Sequence, residues 1–157
     1  MKITKRRFLI FCLIVLVLVF TPITKPVFYD ILNDDISYYF YASSISDKLC
    51  SEVVKCGNAY IVQCNAKDAG LIKKQLNGIQ SESVRIKNYT DQTYQKILQK
   101  YGDMIVKTEA MDDMTIMLCY DKTLPQFAIV SNIKVNTQIA ITKTEINIGY
   151  PLILNGY

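Results

Sequence analysis

The chain has 157 residues, which is enough for one domain of modest size. It contains no histidine and no tryptophan, and the lack of histidine excludes histidine-based catalytic triads, histidine-ligated zinc sites and histidine pH switches. The formal net charge is +4, but five of the 18 basic residues and none of the 14 acidic residues precede Tyr29. The rest of the chain is therefore close to neutral, which argues against nucleic-acid binding, because that function needs a basic face.

The N-terminal segment has the pattern of a signal sequence. A basic stretch, residues 1–7, is followed by an uninterrupted apolar run from Phe8 to Phe20. No pair of small residues follows as a cleavage site, so we expect an uncleaved transmembrane signal-anchor over residues 8–28, in contact with membrane lipid. The charge bias predicts a cytoplasmic N-terminus and an extracytoplasmic body at the cell membrane. A cleaved and secreted form is the alternative.

Residues 29–58 carry mixed signals. The aromatic cluster Tyr38-Tyr39-Phe40-Tyr41 fits a strand or one face of a helix that rests on the domain or on the membrane surface. We interpret this segment as a connector with partial helix that precedes a domain over residues 59–157.

Two helices are predicted early in the domain. A β-prone run, Tyr60–Cys64, leads to a helix that begins at Asn65 and ends at Gly78, and then to a strand at Ser83–Ile86. Thr90 or Asn88 caps the second helix, which ends at Gly102. The apolar residues of each helix fall on one face, as expected for packing on a sheet: Ala69, Ile72, Leu76 and Ile79 in the first, and Tyr94, Ile97, Leu98 and Tyr101 in the second.

Strands dominate the second half of the domain. They are predicted at Met104–Thr108, Thr115–Tyr120, Lys134–Ile141 and Glu145–Ile148, and residues 142–144 form a hairpin turn. The predicted fold class is therefore α+β: an N-terminal transmembrane helix followed by one small domain with two helices packed on a largely antiparallel β-sheet.

The candidates for chemistry are few. Outside the cytoplasm the four cysteines of the body can form up to two disulfides, or they can remain free thiols: Cys50, Cys56, Cys64 and Cys119. The adjacent acids Asp112 and Asp113, with Glu109 nearby, are expected on a turn rather than across a catalytic cleft. Asn136 and Gln138 are expected on a solvated strand face. No residue is assigned as catalytic, cofactor-binding or metal-binding, and no cofactor is expected.

A resemblance that covers residues 59–157 is carried by Thr115–Tyr120, a Leu124-Pro125 turn, Lys134–Ile141 and Ile148–Ile153. Through these segments the domain resembles the YwmB family, exported proteins of Gram-positive, mostly spore-forming bacteria. It implies an exported α+β domain, but it supplies no site residues.

The sequence favours a binding role over an enzymatic one. We expect a binding or assembly module of the bacterial cell envelope, linked to sporulation by the resemblance alone, with an envelope protein or polymer as its partner. The alternative is an envelope enzyme that acts on glycan or peptide through carboxylates such as Asp112 or Glu109. A flat polar or aromatic face would favour the first interpretation, and acids that converge in a pocket would favour the second.

Overall fold

The computed structural model describes residues 26–28, 36–46 and 51–154. These residues form ten strands, which are β1 (Ile36–Ile45), β2 (Glu52–Cys56), β3 (Ala59–Asn65), β4 (Leu76–Lys87), β5 (Ile105–Met111), β6 (Met114–Cys119), β7 (Ala128–Val130), β8 (Ile133–Val135), β9 (Thr137–Ile141) and β10 (Glu145–Tyr150). The described helices are α1 (Ala69–Lys73) and α2 (Asp91–Tyr101). A 3-10 turn, Ala66–Asp68, precedes α1, and another, Gly102–Met104, follows α2.

Eight of the strands form one sheet in the order β2-β3-β1-β4-β10-β9-β6-β5, while β7 and β8 form a separate hairpin. Every neighbouring pair in the large sheet is antiparallel. The central strand β4 has 12 residues and pairs with β1 on one side and with β10 on the other. Strands β2 and β5 form the two edges of the sheet.

Both helices pack on the same face of the sheet. The main hydrophobic core joins Ile72 of α1 and Ile97 of α2 to inward residues of the central strands. These inward strand residues lie at intervals of two along each strand, which places them on one face of the sheet. They include Tyr38 and Phe40 of β1, Val62 of β3, Val84 of β4 and Ile146 and Ile148 of β10.

The opposite face is covered in part by the C-terminal segment. A second, smaller core contains Ile116, Leu118, Val135, Ala140 and Ile153. The backbone N–H of Ile153 donates a hydrogen bond to Gln138 Oε1 over 3.1 Å, and Ser81 Oγ donates to the carbonyl oxygen of Leu152 over 2.6 Å. These bonds fix residues 151–154 across β9, β10 and β4.

The predicted fold class is wrong. Strands hold 54% of the described residues, and helices, with the two 3-10 turns included, hold 19%, so that part of the chain is mostly β-sheet, and an N-terminal transmembrane helix is not supported. Its two helices and its antiparallel pairing do match the prediction for the domain.

No helix within residues 26–28, 36–46 and 51–154 has both the length and the apolar character needed to cross a bilayer. Of the predicted span 8–28, residues 8–25 lie outside the described residues. Pro26 and Phe28 are buried, and Phe28 belongs to the main core with none of its surface exposed. The predicted end of the span at Phe28 is therefore wrong, because this residue packs in the domain.

The segment predicted as a connector with partial helix contains two strands. Strand β1 lies between β3 and β4, and β2 forms an edge of the sheet. The four aromatic residues at positions 38–41 follow one another without polar alternation because both faces of β1 are largely covered. The domain thus includes residues of the segment 29–58 in its sheet.

The two predicted helices have different outcomes. Helix α2 lies where the sequence predicts it, with Thr90 Oγ1 accepting the N–H of Thr93 and Gly102 at its C-cap. The first helix is much shorter than predicted, because α1 ends at Lys73 and Leu76 already begins β4. Gly78 lies in that strand with φ of 59°, where a Cβ atom would clash with Ser43, so a helix cannot continue through it.

Gly149 lies where the C-terminal segment comes closest to the sheet. A Cβ atom added there would lie 2.5 Å from Ile153 N and 2.6 Å from Leu152 C. We expect Gly149→Ala to lower the free energy of unfolding by about 1–3 kcal/mol, because backbone atoms must move to make room. Urea denaturation measures this effect.

Gly102→Ala is the matched control, because Gly102 has αR backbone angles and, among the described residues outside its own helix and its two chain neighbours, an added Cβ atom would meet nothing within 4 Å. That variant should keep or slightly raise stability, by at most about 1 kcal/mol. Equal losses in the two variants would contradict the close packing of the C-terminal segment.

Candidate functional site

A buried carboxylate lies on β4, an inner strand of the large sheet. Glu82 is on β4, and its side chain is on the helix-bearing face because its partners in register are Phe40 of β1 and Tyr150 of β10. Only 4% of its surface is exposed. A charge in such a position is stable only when hydrogen bonds and an opposite charge compensate for the lost hydration.

Glu82 is compensated by three groups. Its Oε2 accepts hydrogen bonds from the backbone N–H of Val27, over 3.0 Å, and from the hydroxyl of Tyr38. Its Oε1 lies 2.6 Å from Lys73 Nζ. Glu82 therefore ties β4 to β1, to the end of α1 and to the described N-terminal residues 26–28.

Two tyrosines near this carboxylate are held in the protonated form. Burial raises the pKa of Tyr38 far above its usual value, and the negative charge of Glu82 raises it further. Burial also raises the pKa of Tyr150. Tyr38 therefore remains a hydrogen-bond donor to Glu82 over the whole physiological pH range.

A cleft of about 450 Å³ opens beside this network. Lys73, Glu82 and Tyr150 lie in its wall. The hydroxyl of Tyr150 accepts a hydrogen bond from the N–H of Gln126 over 3.0 Å, which fixes the loop on one side of the cleft. The remaining walls are mainly apolar, from Pro26, Val27, Ile79, Leu124 and Pro125. An apolar cavity of this size with a few polar groups is typical of a ligand site.

A second cleft, of about 490 Å³, lies between α1 and the β2–β3 hairpin. Its lining includes Glu52, Cys64 and Asp68. Burial, reinforced by the charge of Asp68, raises the pKa of the Cys64 thiol to about 12. A thiol with this pKa is a weak nucleophile at neutral pH, so the cleft does not present an activated cysteine.

The acids singled out in the sequence do not converge. Asp112 and Asp113 are exposed at the turn between β5 and β6, as predicted, and they line neither cleft. Glu109 is half-buried on β5, with its Oε1 2.6 Å from Lys107 Nζ. Within the described ranges no group of three or more cysteine and acidic side chains could hold a metal ion.

Asn136 and Gln138 are buried, so the prediction of a solvated strand face is wrong. Asn136 interrupts the predicted strand between β8 and β9. Its Oδ1 accepts the N–H of Asp121 over 2.7 Å, and its Nδ2 donates to the carbonyl oxygen of Asp121 over 2.6 Å. Both side chains therefore hold the chain in place rather than face a ligand.

Cys56, Cys64 and Cys119 are free thiols, with Cys56 exposed and Cys119 buried. Cys12 and Cys50 lie outside the described residues. Burial raises the pKa of Cys119 to about 11.

Sequence reasoning did not single out Glu82, since Ser81-Glu82-Ser83 has the composition of a loop. A signal is nevertheless present, because Glu82 precedes Val84 and Ile86 at intervals of two, which places it on the inward face of a strand. No family model, no curated protein and no solved structure matches this chain.

Tyr38→Phe removes one hydrogen bond to the buried carboxylate and leaves the ring in place. We expect a loss of about 1.5–3 kcal/mol in the free energy of unfolding, the usual contribution of a hydrogen bond to a charged group. Thermal or urea unfolding measures the loss. Tyr60→Phe, on the same face of the sheet in β3 and half-buried, is the matched control and should change stability little. Equal effects would show that the bond to Glu82 contributes nothing specific.

The three described thiols should differ in reactivity. We expect iodoacetamide at mildly alkaline pH to modify Cys56 first, because Cys56 is exposed, whereas burial raises the pKa of Cys64 to about 12 and that of Cys119 to about 11. Peptide-resolved mass spectrometry of the time course reports each site separately. In urea the three rates should become similar. Equal rates in the folded protein would contradict the burial of Cys119.

Proposed function

We propose that this chain is a binding module of the bacterial cell envelope and that it holds the apolar part of a ligand in the cleft beside Glu82. The observation that carries the proposal is the combination of apolar walls with a compensated ion pair, Lys73–Glu82, in a cavity of about 450 Å³. The apolar walls supply binding energy, and the polar groups orient the ligand.

The state of Glu82 favours binding over catalysis. A general acid or base must exchange a proton with the substrate, whereas both oxygens of Glu82 already have partners within the protein. The alternative, an envelope enzyme that acts on glycan or peptide through Asp112 or Glu109, lacks support from the described residues. Asp112 is exposed on a hairpin turn, and Glu109 pairs with a lysine on its own strand.

The envelope location rests on the sequence. The basic stretch and the apolar run at the N-terminus have the form of a signal for export, and the YwmB resemblance implies an exported domain. The link to sporulation comes from that resemblance alone. An envelope protein or polymer that carries apolar groups is the partner this proposal predicts.

The binding proposal is tested with the uncharged fluorescent probe N-phenyl-1-naphthylamine, which becomes bright in apolar surroundings. We expect saturable binding to the full chain in a non-ionic detergent below its micellar concentration. Leu124→Asp places a charge in the apolar wall and should weaken probe binding at least about tenfold. Pro125→Asp, at an exposed position on the same wall, should act in the same direction.

Leu71→Asp is the matched control, since Leu71 is exposed on α1 and lines the other cleft. It should leave probe binding unchanged. Circular dichroism of each variant establishes that the sheet is intact. If Leu124→Asp and Pro125→Asp both fold and both bind the probe like the unmodified chain, the cleft is not the binding site.

A further inference from the structure

The two edges of the sheet differ in length. The β2 edge has five residues, whereas β5 has seven residues and ends the sheet on the other side. No described strand covers the outer side of β5. An open edge presents unpaired backbone N–H and C=O groups, which can pair with another strand.

The charges of β5 are arranged symmetrically about its centre. Lys107 and Glu109 flank Thr108, and their side chains are 38% and 39% exposed. Both lie on the same face of the sheet, because they pair with Leu118 and Ile116 of β6. Val106 and Met111, nearer the ends of the strand, are exposed apolar residues.

The order Lys107-Thr108-Glu109 gives β5 a charge pattern that is complementary to that of a second, antiparallel copy of β5. When two copies of β5 pair in the antiparallel direction about a two-fold axis at Thr108, Lys107 of one copy lies directly opposite Glu109 of the other. The same contact then occurs twice, as a two-fold interface requires. Opposite charges at facing positions stabilise an antiparallel pair.

Charge also disfavours the neighbouring registers. An axis at residue 107 would place two lysines face to face, and an axis at residue 109 would place two glutamates face to face. Like charges directly opposite each other are destabilising. The register centred on Thr108 is thus selected over those on either side.

We propose that β5 is a dimerisation edge, through which two copies of this chain join their sheets in antiparallel fashion about Thr108. The combined sheet takes eight strands from each copy, with the two β5 strands side by side at its centre. A register shift between Ile105 and Lys107 leaves residues 107–111 as the regular part of the edge, so regular pairing about Thr108 covers residues 107–109 of each copy. The contact is short, so the dimer should depend on protein concentration.

Charge reversal tests the proposal on the full chain in a mild non-ionic detergent, with mass measured by analytical ultracentrifugation across a wide concentration range. The unmodified chain should reach twice the monomer mass. Lys107→Glu alone places glutamates opposite glutamates, and Glu109→Lys alone places lysines opposite lysines. Each single variant should lose the dimer.

Two combinations of these substitutions should restore the dimer. An equimolar mixture of Lys107→Glu and Glu109→Lys brings opposite charges together at all four positions, so it should form a heterodimer. The double variant with both substitutions reverses each pair and should dimerise like the unmodified chain. Restoration in the mixture also shows that both single variants are folded.

A monomeric unmodified chain at every concentration would overturn the proposal. In that case Lys107 serves to keep the edge from pairing, as lysine does on many edge strands. Dimers of undiminished strength in both single variants would overturn it equally, because association would then use another surface. Neither result affects the Glu82 cleft, since the probe experiment does not require the dimer.

Discussion

The buried Glu82 carboxylate is the interaction on which the arrangement of the other elements depends. Moving a carboxylate out of water costs several kcal/mol, so its burial is tolerated only while all of its partners remain in place. Those partners come from β1, from α1 and from residues 26–28. Losing any one of them leaves charge or a donor uncompensated in the core. The network therefore couples the attachment of the N-terminal residues to the packing of α1 on the sheet, and the same coupling shapes the wall of the cleft.

Much of the fold follows from local sequence signals, and the errors have a common physical cause. The predicted α2 and the β9–β10 hairpin agree with the structure, because a cap, a helical period or a turn identifies each of them locally. Strand β1 is not predicted because polar and apolar residues do not alternate in its aromatic run. That alternation is absent from a strand when both of its faces are covered. The first helix is predicted too long because Leu76 and Ile79 continue a helical spacing by chance. Only the tertiary pairing of β4 with β1 decides between helix and strand there.

The candidate site is less predictable than the fold. Three of its determinants, Val27, Tyr38 and Lys73, come from segments separated from Glu82 by up to 55 residues. Local sequence indicates that Glu82 points inward if residues 81–87 form a strand, but it does not show what compensates the charge. Asn136 is a second residue whose surroundings depend on a segment outside its own strand. Its alternation with apolar residues suggests a solvated face, whereas the loop that contains Asp121 covers it and uses both ends of its amide.

The proposed cleft and the proposed dimer edge are compatible because the sheet separates them. Strand β5 lies four strands away from β4, about 19 Å at the usual strand spacing. A two-fold axis at Thr108 that runs normal to the sheet keeps the faces of both copies on the same side. The two Glu82 side chains then lie on one face of the combined sheet, roughly 40 Å apart. Because neighbouring strands twist by about 20°, the two clefts point in different directions, so only a long partner with repeated groups that follows the twisted face would bind at both, which would raise the strength of binding without any new contact. A repeating envelope polymer has that form, whereas a small free ligand would gain nothing from the dimer.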